Sequence, residues 1–212
     1  MSTEKIILIG GGGHCKAAID VIESKGEFEI FGILDIPEKV GQTILGYPII
    51  GTDSEISKFA EECRNFHITV GQIKSANLRK KLFKMVKDNG GYLPVIASKN
   101  AHVSKHSSIK EGTIVMHNVI VNPGAKVGAC CILNSGSLIE HDAQIGDFNH
   151  ISTNAVINGD CKVENECFIG SNSVISNGVS IPSETLIAAG AAVYKTIKQS
   201  GTYMGFPLRK IK

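Results

Sequence analysis

Val, Ile or Leu recurs at every sixth position from Val103 to Val193, through Ile109, Val115, Val121, Val127, Leu133, Ile139, Ile145, Ile151, Ile157, Val163, Ile169, Ile175, Ile181 and Ile187. A helix repeats at about 3.6 residues and a strand at two, so a strict period of six fits neither a lone helix nor a hairpin sheet. It fits a solenoid of short parallel strands, with three hexads closing one triangular coil. Two residues before most of these aliphatics stands a small or modest side chain, among them Ala101, Ser107, Thr113, Ala125, Cys131, Ser137, Ala143, Ala155, Cys161, Cys167, Ser173 and Ala191. A narrow interior close to a corner requires such residues. Buried aliphatics alone do not offset the entropy of ordering so long a coil, so the pattern predicts an oligomer, with a homotrimer matching the three-sided shape.

The pattern upstream is different. Residues 5–9 read as a buried strand, 10–13 as a tight glycine loop, and 15–24 as a helix with Ala17, Ala18, Val21 and Ile22 on its inner face. Residues 29–34 read as a second strand ending at Asp35, 54–64 and 75–89 have helical spacing, and 66–70 reads as a strand between them. The chain therefore divides into a Rossmann-like βαβ domain over residues 1–95 and, over residues 96–212, an all-β parallel coil with a C-terminal tail whose pattern resembles the left-handed parallel β-helix of hexapeptide repeats, the segment 93–99 crossing between them.

A net charge of +2 over 212 residues, without a basic tract, gives no electrostatic case for nucleic acid or an acidic membrane surface. The apolar run in residues 1–9 is too short for a signal peptide or a membrane span, so a cytoplasmic protein is expected. Of six cysteines none has C-x-x-C spacing, and Cys131, Cys161 and Cys167 occupy small-residue slots of the repeat; all are read as reduced packing residues.

Two places carry candidate chemistry. The run Gly10-Gly11-Gly12-Gly13-His14, after a strand and before a helix, places bare backbone N–H groups and a positive helix end where a phosphate can sit. Cys15 and Lys16 stand where a dinucleotide fingerprint needs glycine, which disfavours NAD. Asp35 is placed to accept from a ribose or a base, and His14 at the loop mouth can donate to a phosphate oxygen. The plainer alternative is a tight turn whose loop Asp35 caps.

In the coil, residues n and n+18 stack about 4.8 Å apart. His141 lies two residues past Ile139 at a corner, and Gly159 is the corner residue one coil above. A base and a bare backbone N–H on one edge are what acyl transfer from a thioester needs, the first to take a proton from the attacking group and the second to hold the oxygen that becomes negative. Of the flanking acids only one can orient the ring, and at a turn Asp142 is favoured over Glu140. Asn134 and His150 fall within the same coil length. His102, His117 and His141 are separated by 15 and 24 residues, not multiples of 18, so they share no column and no metal site is expected.

The stretch from Asn134 through Glu140-His141-Asp142 to His150-Ile151 resembles the signature of the hexapeptide-repeat sugar O-/N-acyltransferases, the family of the sialic-acid O-acetyltransferases and the bacillosamine-pathway N-acetyltransferases. The glycine loop with His14 and Asp35, and the terminal Gly205-Phe206-Pro207-Leu208-Arg209-Lys210, extend the likeness over the whole chain. The resemblance implies a homotrimer that uses acetyl-coenzyme A without a metal. It makes His141 the general base and Asp142, where other members often have Glu, its orienting acid. It sets Asn134 and His150 beside the acceptor sugar and the thioester, and gives the thioester oxygen to the N–H of Gly159. Gly12, Gly13, His14 and Asp35 would hold the nucleotide, and the coenzyme would run near Ala189 and Gly190 between two subunits. The implied function is N-acetylation of a nucleotide-linked amino sugar in glycan biosynthesis. The alternatives are O-acetylation of a sialic acid or another sugar hydroxyl, and a non-catalytic nucleotide-sugar-binding scaffold. Residues 71–77 depart from the family pattern, being longer than the short loop expected after that strand.

Overall fold

The computed structural model describes residues 3–205, 209 and 210. The chain divides into two compact units, one of residues 1–71 with 77–99 and the other of Gln72–Ala76 with 100–212.

The first unit is an α/β layer. Its strands are β1 (Glu4–Ile9), β2 (Phe28–Leu34), β3 (Thr43–Ile44), β4 (Tyr47–Gly51) and β5 (Asn65–Ile68), in the order β3-β4-β2-β1-β5. β1 runs parallel to both β2 and β5, β2 parallel to β4, and only the β3–β4 pair is antiparallel. Ile6, Ile7, Leu8 and Ile9 are buried, as a central strand covered on both faces requires. Three helices complete the unit: α1 (Gly13–Lys25), α2 (Ile56–Glu62) and α3 (Asn77–Asp88). The strand order reverses at β1, so the loop leaving β1 lies at the switch point where parallel sheets open a crevice.

Some local readings change. α1 buries Cys15, Ala18, Ile19, Val21 and Ile22, whereas Ala17 is exposed; the helix is rotated so that its bulkier Ile19 enters the core. α2 is shorter than its spacing suggested because Asp53–Glu55 forms a 3-10 turn, closed by a capping box between Thr52 and Glu55. The β3–β4 hairpin has no alternating pattern long enough to announce it.

The second unit is a left-handed parallel β-helix of two-residue strands. The first face stacks His102–Val103, Ile120–Val121, Leu138–Ile139, Val156–Ile157, Val174–Ile175 and Ala192–Val193. The second stacks Ser108–Ile109, Lys126–Val127, Gln144–Ile145, Lys162–Val163 and Ser180–Ile181. The third stacks Ile114–Val115, Ile132–Leu133, His150–Ile151, Phe168–Ile169 and Leu186–Ile187, and continues into Thr202–Met204. Every pairing joins residues 18 apart through the body of the coil, so the period of six is a physical register. From Val115 to Val193 each aliphatic of the series is buried, while Val103 and Ile109, in the first turn of the prism, are not.

A second six-residue series runs along the corners. Positions 112, 118, 124 and onward to 190 all have positive φ, occupied by glycine five times, by Asn118, Asn154 and Asn172, by Asp142 and Asp160, and by Cys130, Phe148, Glu166 and Glu184. Each corner turns through one left-handed residue, and Gly, Asn and Asp reach that conformation at least cost. Among the described residues no helix is long and apolar enough to cross a membrane. The terminal motif at 205–210 lies largely outside the described residues.

Candidate active site

His141 follows the first-face strand Leu138–Ile139 and stands at the corner leading to the second face. Its Nδ1 is 3.0 Å from Asp142 Oδ2, and with Asp142 as acceptor that nitrogen carries the proton and Nε2 keeps its lone pair. Asp142 reaches the ring because its own backbone is left-handed, at φ 61°. Gly124, one coil below, supplies the room: a Cβ there would collide with Asp142 Oδ1. Glu140 does other work, accepting from the His141 backbone N–H at 3.3 Å and from Asn122 Nδ2 at 2.8 Å.

The ring lies against Gly159, where a Cβ would come within 2.6 Å of both Nε2 and Cε1. Among the described residues no acceptor takes the Gly159 N–H. The hydrogen bond to Asp142, together with the charges of Asp142, Asp160 and Glu140, raises the imidazole above its ordinary range. The side chain is 56 % exposed in a single chain.

Asn134 and His150 meet at a different corner, the one leading from the third face to the first. Asn134 Nδ2 is 3.3 Å from His150 Nε2, and His150 Nδ1 is 2.6 Å from the Gln72 carbonyl oxygen. His150 is only 8 % exposed and stands edge-on to Phe168. Ala189 and Gly190 share this corner, because Asn134 stacks below Ser152, Gly170 and Ala188 in steps of 18. The corner is made narrow: a Cβ on Gly170 would touch the backbone of Ala188 and Ala189 within 2.6 Å. Gly190 fills a left-handed slot at φ 70°. One chain thus assembles His141, Asp142 and Gly159 on one ridge and Asn134, His150, Ala189 and Gly190 on another. The first face separates them.

The glycine loop belongs to the α/β unit. Gly10 N–H donates to Leu34 O at 2.8 Å, and Gly11 N–H to Asp35 Oδ2 at 2.8 Å. Both positions need glycine for packing: a Cβ on Gly10 would lie 2.5 Å from Val70 Cγ2, and one on Gly11 2.5 Å from Asp35 Oδ2. Gly12 and Gly13 differ, since a Cβ on either would meet nothing within 4 Å. Gly12 caps α1 without a side-chain bond, and Cys15 N–H donates back to Gly12 O at 3.1 Å. A cavity of about 330 Å³ is lined by the four glycines, His14, Asp35, Lys39, Thr69, Val70 and Gly71.

Asp35 is already engaged. Besides Gly11 it accepts from Ile36 N–H at 2.7 Å and from Lys39 Nζ at 2.9 Å. Burial pulls its carboxyl upward, but the Lys39 bond, the two backbone donors and the Lys39 charge outweigh that and hold it below the usual carboxylate range. The Lys39 pairing was signalled only by its spacing of four from Asp35. Behind the loop, Arg79 is 1 % exposed and donates from Nη1 to Val70 O at 2.7 Å, while His67 is fully buried. No sequence motif marks either residue, nor Gln72.

Residues 5–86 match the model of the PglD N-terminal domain, and residues 142–177 match the bacterial transferase hexapeptide repeat. An uncharacterized protein of Acanthamoeba polyphaga mimivirus is 36 % identical over 144 residues, and the match spans about a quarter (24 %) of that protein's length. The acetyltransferase domain of PglB from Neisseria gonorrhoeae superposes with a TM-score of 0.90 at 25 % identity, covering 98 % of this chain and 100 % of that one. A histidine-to-asparagine variant of perosamine N-acetyltransferase from Caulobacter crescentus, solved with CoA and GDP-perosamine, also gives 0.90 at 25 % identity, over 100 % of this chain and 98 % of the other.

Proposed function

The chain belongs to the hexapeptide-repeat sugar acetyltransferases, and on that footing we propose that it moves the acetyl group of acetyl-coenzyme A onto the amine of a nucleotide-linked amino sugar. The observation that carries the reading is the His141 ridge: a ring whose Nδ1 is held by Asp142 and whose Nε2 edge lies against Gly159, whose backbone N–H no acceptor takes among the described residues.

In the proposed reaction the neutral amine attacks the thioester carbonyl carbon, a C–N bond forms, and the carbonyl oxygen becomes negative beside the Gly159 N–H. His141 Nε2 takes the proton that the nitrogen loses, the C–S bond breaks, and the proton passes to the departing sulfur. The products are the N-acetylated sugar nucleotide and free coenzyme A. At the glycine loop, the N-terminus of α1 and the exposed Gly12 and Gly13 offer N–H donors to phosphate, with His14 in the first turn and Asp35 as an acceptor for the nucleoside.

The separated ridges are reconciled by the homotrimer. Outward from the first face project Ile120, Leu138, Val156, Val174 and Ala192, with Ile120 41 % and Val174 39 % exposed. The second face presents Ser108, Lys126, Gln144, Lys162 and Ser180 in the same row. Packing the apolar face around a threefold axis buries it, and brings the His141 ridge of one subunit against the Asn134, His150, Ala189 and Gly190 ridge of the next. Coenzyme A then lies in that cleft. The six cysteines are all buried and unbridged.

The test is thiol release from acetyl-coenzyme A with purified protein and a panel of nucleoside-diphosphate amino sugars, amine-free sugar nucleotides and free sialic acid. Turnover is expected only with the amines. Turnover confined to sialic acid would replace this reading with O-acetylation, and none with any acceptor would favour a binding scaffold. Mixing inactive His141→Ala and Asn134→Ala subunits should restore activity, since mixed trimers contain clefts with both ridges intact.

A further inference from the structure

We infer that Gln72 is a positioning residue for this reaction: through His150 it fixes the side-chain amide of Asn134 at the coenzyme ridge. The inference rests on the acyl-transfer reading.

Gln72 lies in the Gln72–Ala76 segment, which packs with the coil, and is 4 % exposed. Its side-chain Nε2 donates to Phe148 O at 2.9 Å and to Cys167 O at 3.4 Å, clamping the segment across two successive turns. Clamped there, its backbone carbonyl meets His150 Nδ1 at 2.6 Å. A carbonyl can only accept, so Nδ1 carries a proton.

At the other end of the ring the direction is set independently. Asn134 Oδ1 accepts the Ser135 N–H at 2.8 Å, which turns Nδ2 toward the imidazole. An amide nitrogen can only donate, so His150 Nε2 is the acceptor and the ring is the neutral Nδ1–H tautomer. The bonds form one directed chain: Ser135 N–H to Asn134, Asn134 N–H to His150, His150 N–H to Gln72. One hydrogen of the Asn134 amide is used in it. The second stays with an amide whose plane is fixed, on the ridge shared with Ala189 and Gly190, where it can donate to an acyl or pantetheine carbonyl.

Two further observations point to geometry rather than stability as the reason for Gln72. Its Oε1 is buried without a hydrogen-bond partner among the described residues, which a residue serving only cohesion would avoid. Next to it Ile73 is 64 % exposed, so the neighbouring aliphatic does not anchor Gln72. This is also the stretch whose length departs from the family pattern.

The decisive measurements are imidazole ¹⁵N spectra of His150 and steady-state kinetics. Wild type should show the Nδ1–H tautomer alone. Gln72→Met, which keeps volume and loses the clamp, should show a mixture of tautomers, with kcat down about 10- to 100-fold. KM for the sugar nucleotide should stay within twofold, and thermal melting and oligomeric state should be unchanged. An Nε2–H or doubly protonated ring in wild type overturns the inference even if the variant fails to fold. So does a Gln72→Met protein with wild-type tautomer and turnover. Absence of wild-type turnover on every acceptor sinks the acyl-transfer reading instead, and the spectra still decide whether Gln72 sets the ring.

Discussion

The α/β unit seals a histidine inside, and the coil puts one on display. His67 is fully buried with neither ring nitrogen hydrogen-bonded among the described residues, and burial, with the nearby charges of Arg79 and His14, drives it down to about 3. His141 stands out at a corner among three carboxylates that push it upward. The contrast follows from architecture. A doubly covered parallel sheet has no surface of its own except at its loops, so its exposed polar groups are backbone and loop-edge residues. A prism two residues wide per face has corners everywhere, so its side chains can do chemistry.

The sharpest way to break that comparison is His141→Ala. Losing a general base should lower thiol release by about 10²- to 10⁴-fold while leaving the coil's melting temperature unchanged, because the ring stands exposed at a corner, outside the core of the coil. Activity within tenfold of wild type would remove the assignment. Next come paired glycine substitutions, one in each unit. Gly159→Ala forces a methyl into the His141 ring and should reduce kcat by about 10²-fold with little change in KM. Gly11→Ala forces a methyl against Asp35 and should instead raise KM for the sugar nucleotide about tenfold, with kcat retained. Identical kinetic signatures from the two would mean that the units do not divide binding from chemistry.

The coil was legible because its register repeats: one slot read correctly fixes every neighbour 18 residues away. That arithmetic placed Gly159 beside His141. The same arithmetic also separates Asn134 and His150 from His141, since they occupy different corners, but nearness in sequence made them look like one cluster. The left-handed series was hidden for a related reason. Glycine, Asn and Asp mark ten of its fourteen corners, while Cys130, Phe148, Glu166 and Glu184 interrupt the signal. Asp142 therefore answers to two demands, a backbone that tolerates φ 61° and a carboxylate for the ring. In the α/β unit each contact is made once. Lys39 and Arg79 take their places from tertiary packing, which no period announces, and so does Gln72, in a segment of the coil unit that lies outside the repeat.

The buried histidine sharpens the comparison through acid stability. His67 titrates near 6.5 when unfolded and at about 3 when folded, so the unfolded chain binds the proton more readily across that interval. Its contribution is fully present above pH 6.5 and is lost progressively as pH falls toward 3. By pH 5 the loss reaches roughly 2 kcal/mol. Urea titrations at pH 7 and pH 5 should show that decrement in wild type and lack it in His67→Leu. The same decrement in both proteins would locate the acid sensitivity elsewhere.

The mildest effect is expected at Asp142. In wild type the Asp142 carboxylate favours the imidazolium, so the acid limb of kcat/KM, which reports conversion of His141 to its neutral form, should lie above pH 6.5. Asp142→Asn removes that charge, and the limb should move to lower pH. Plateau activity should also drop, because the amide can present either its oxygen or its nitrogen to Nδ1 and no longer enforces one tautomer. Asp160→Asn, whose carboxylate acts on the ring only through space, should move the limb the same way by less and leave the plateau intact. Profiles of the three proteins taken together separate charge from orientation. If Asp160→Asn lowers the plateau as much as Asp142→Asn does, the ring is not oriented by the hydrogen bond at 3.0 Å and Asp142 acts as charge alone.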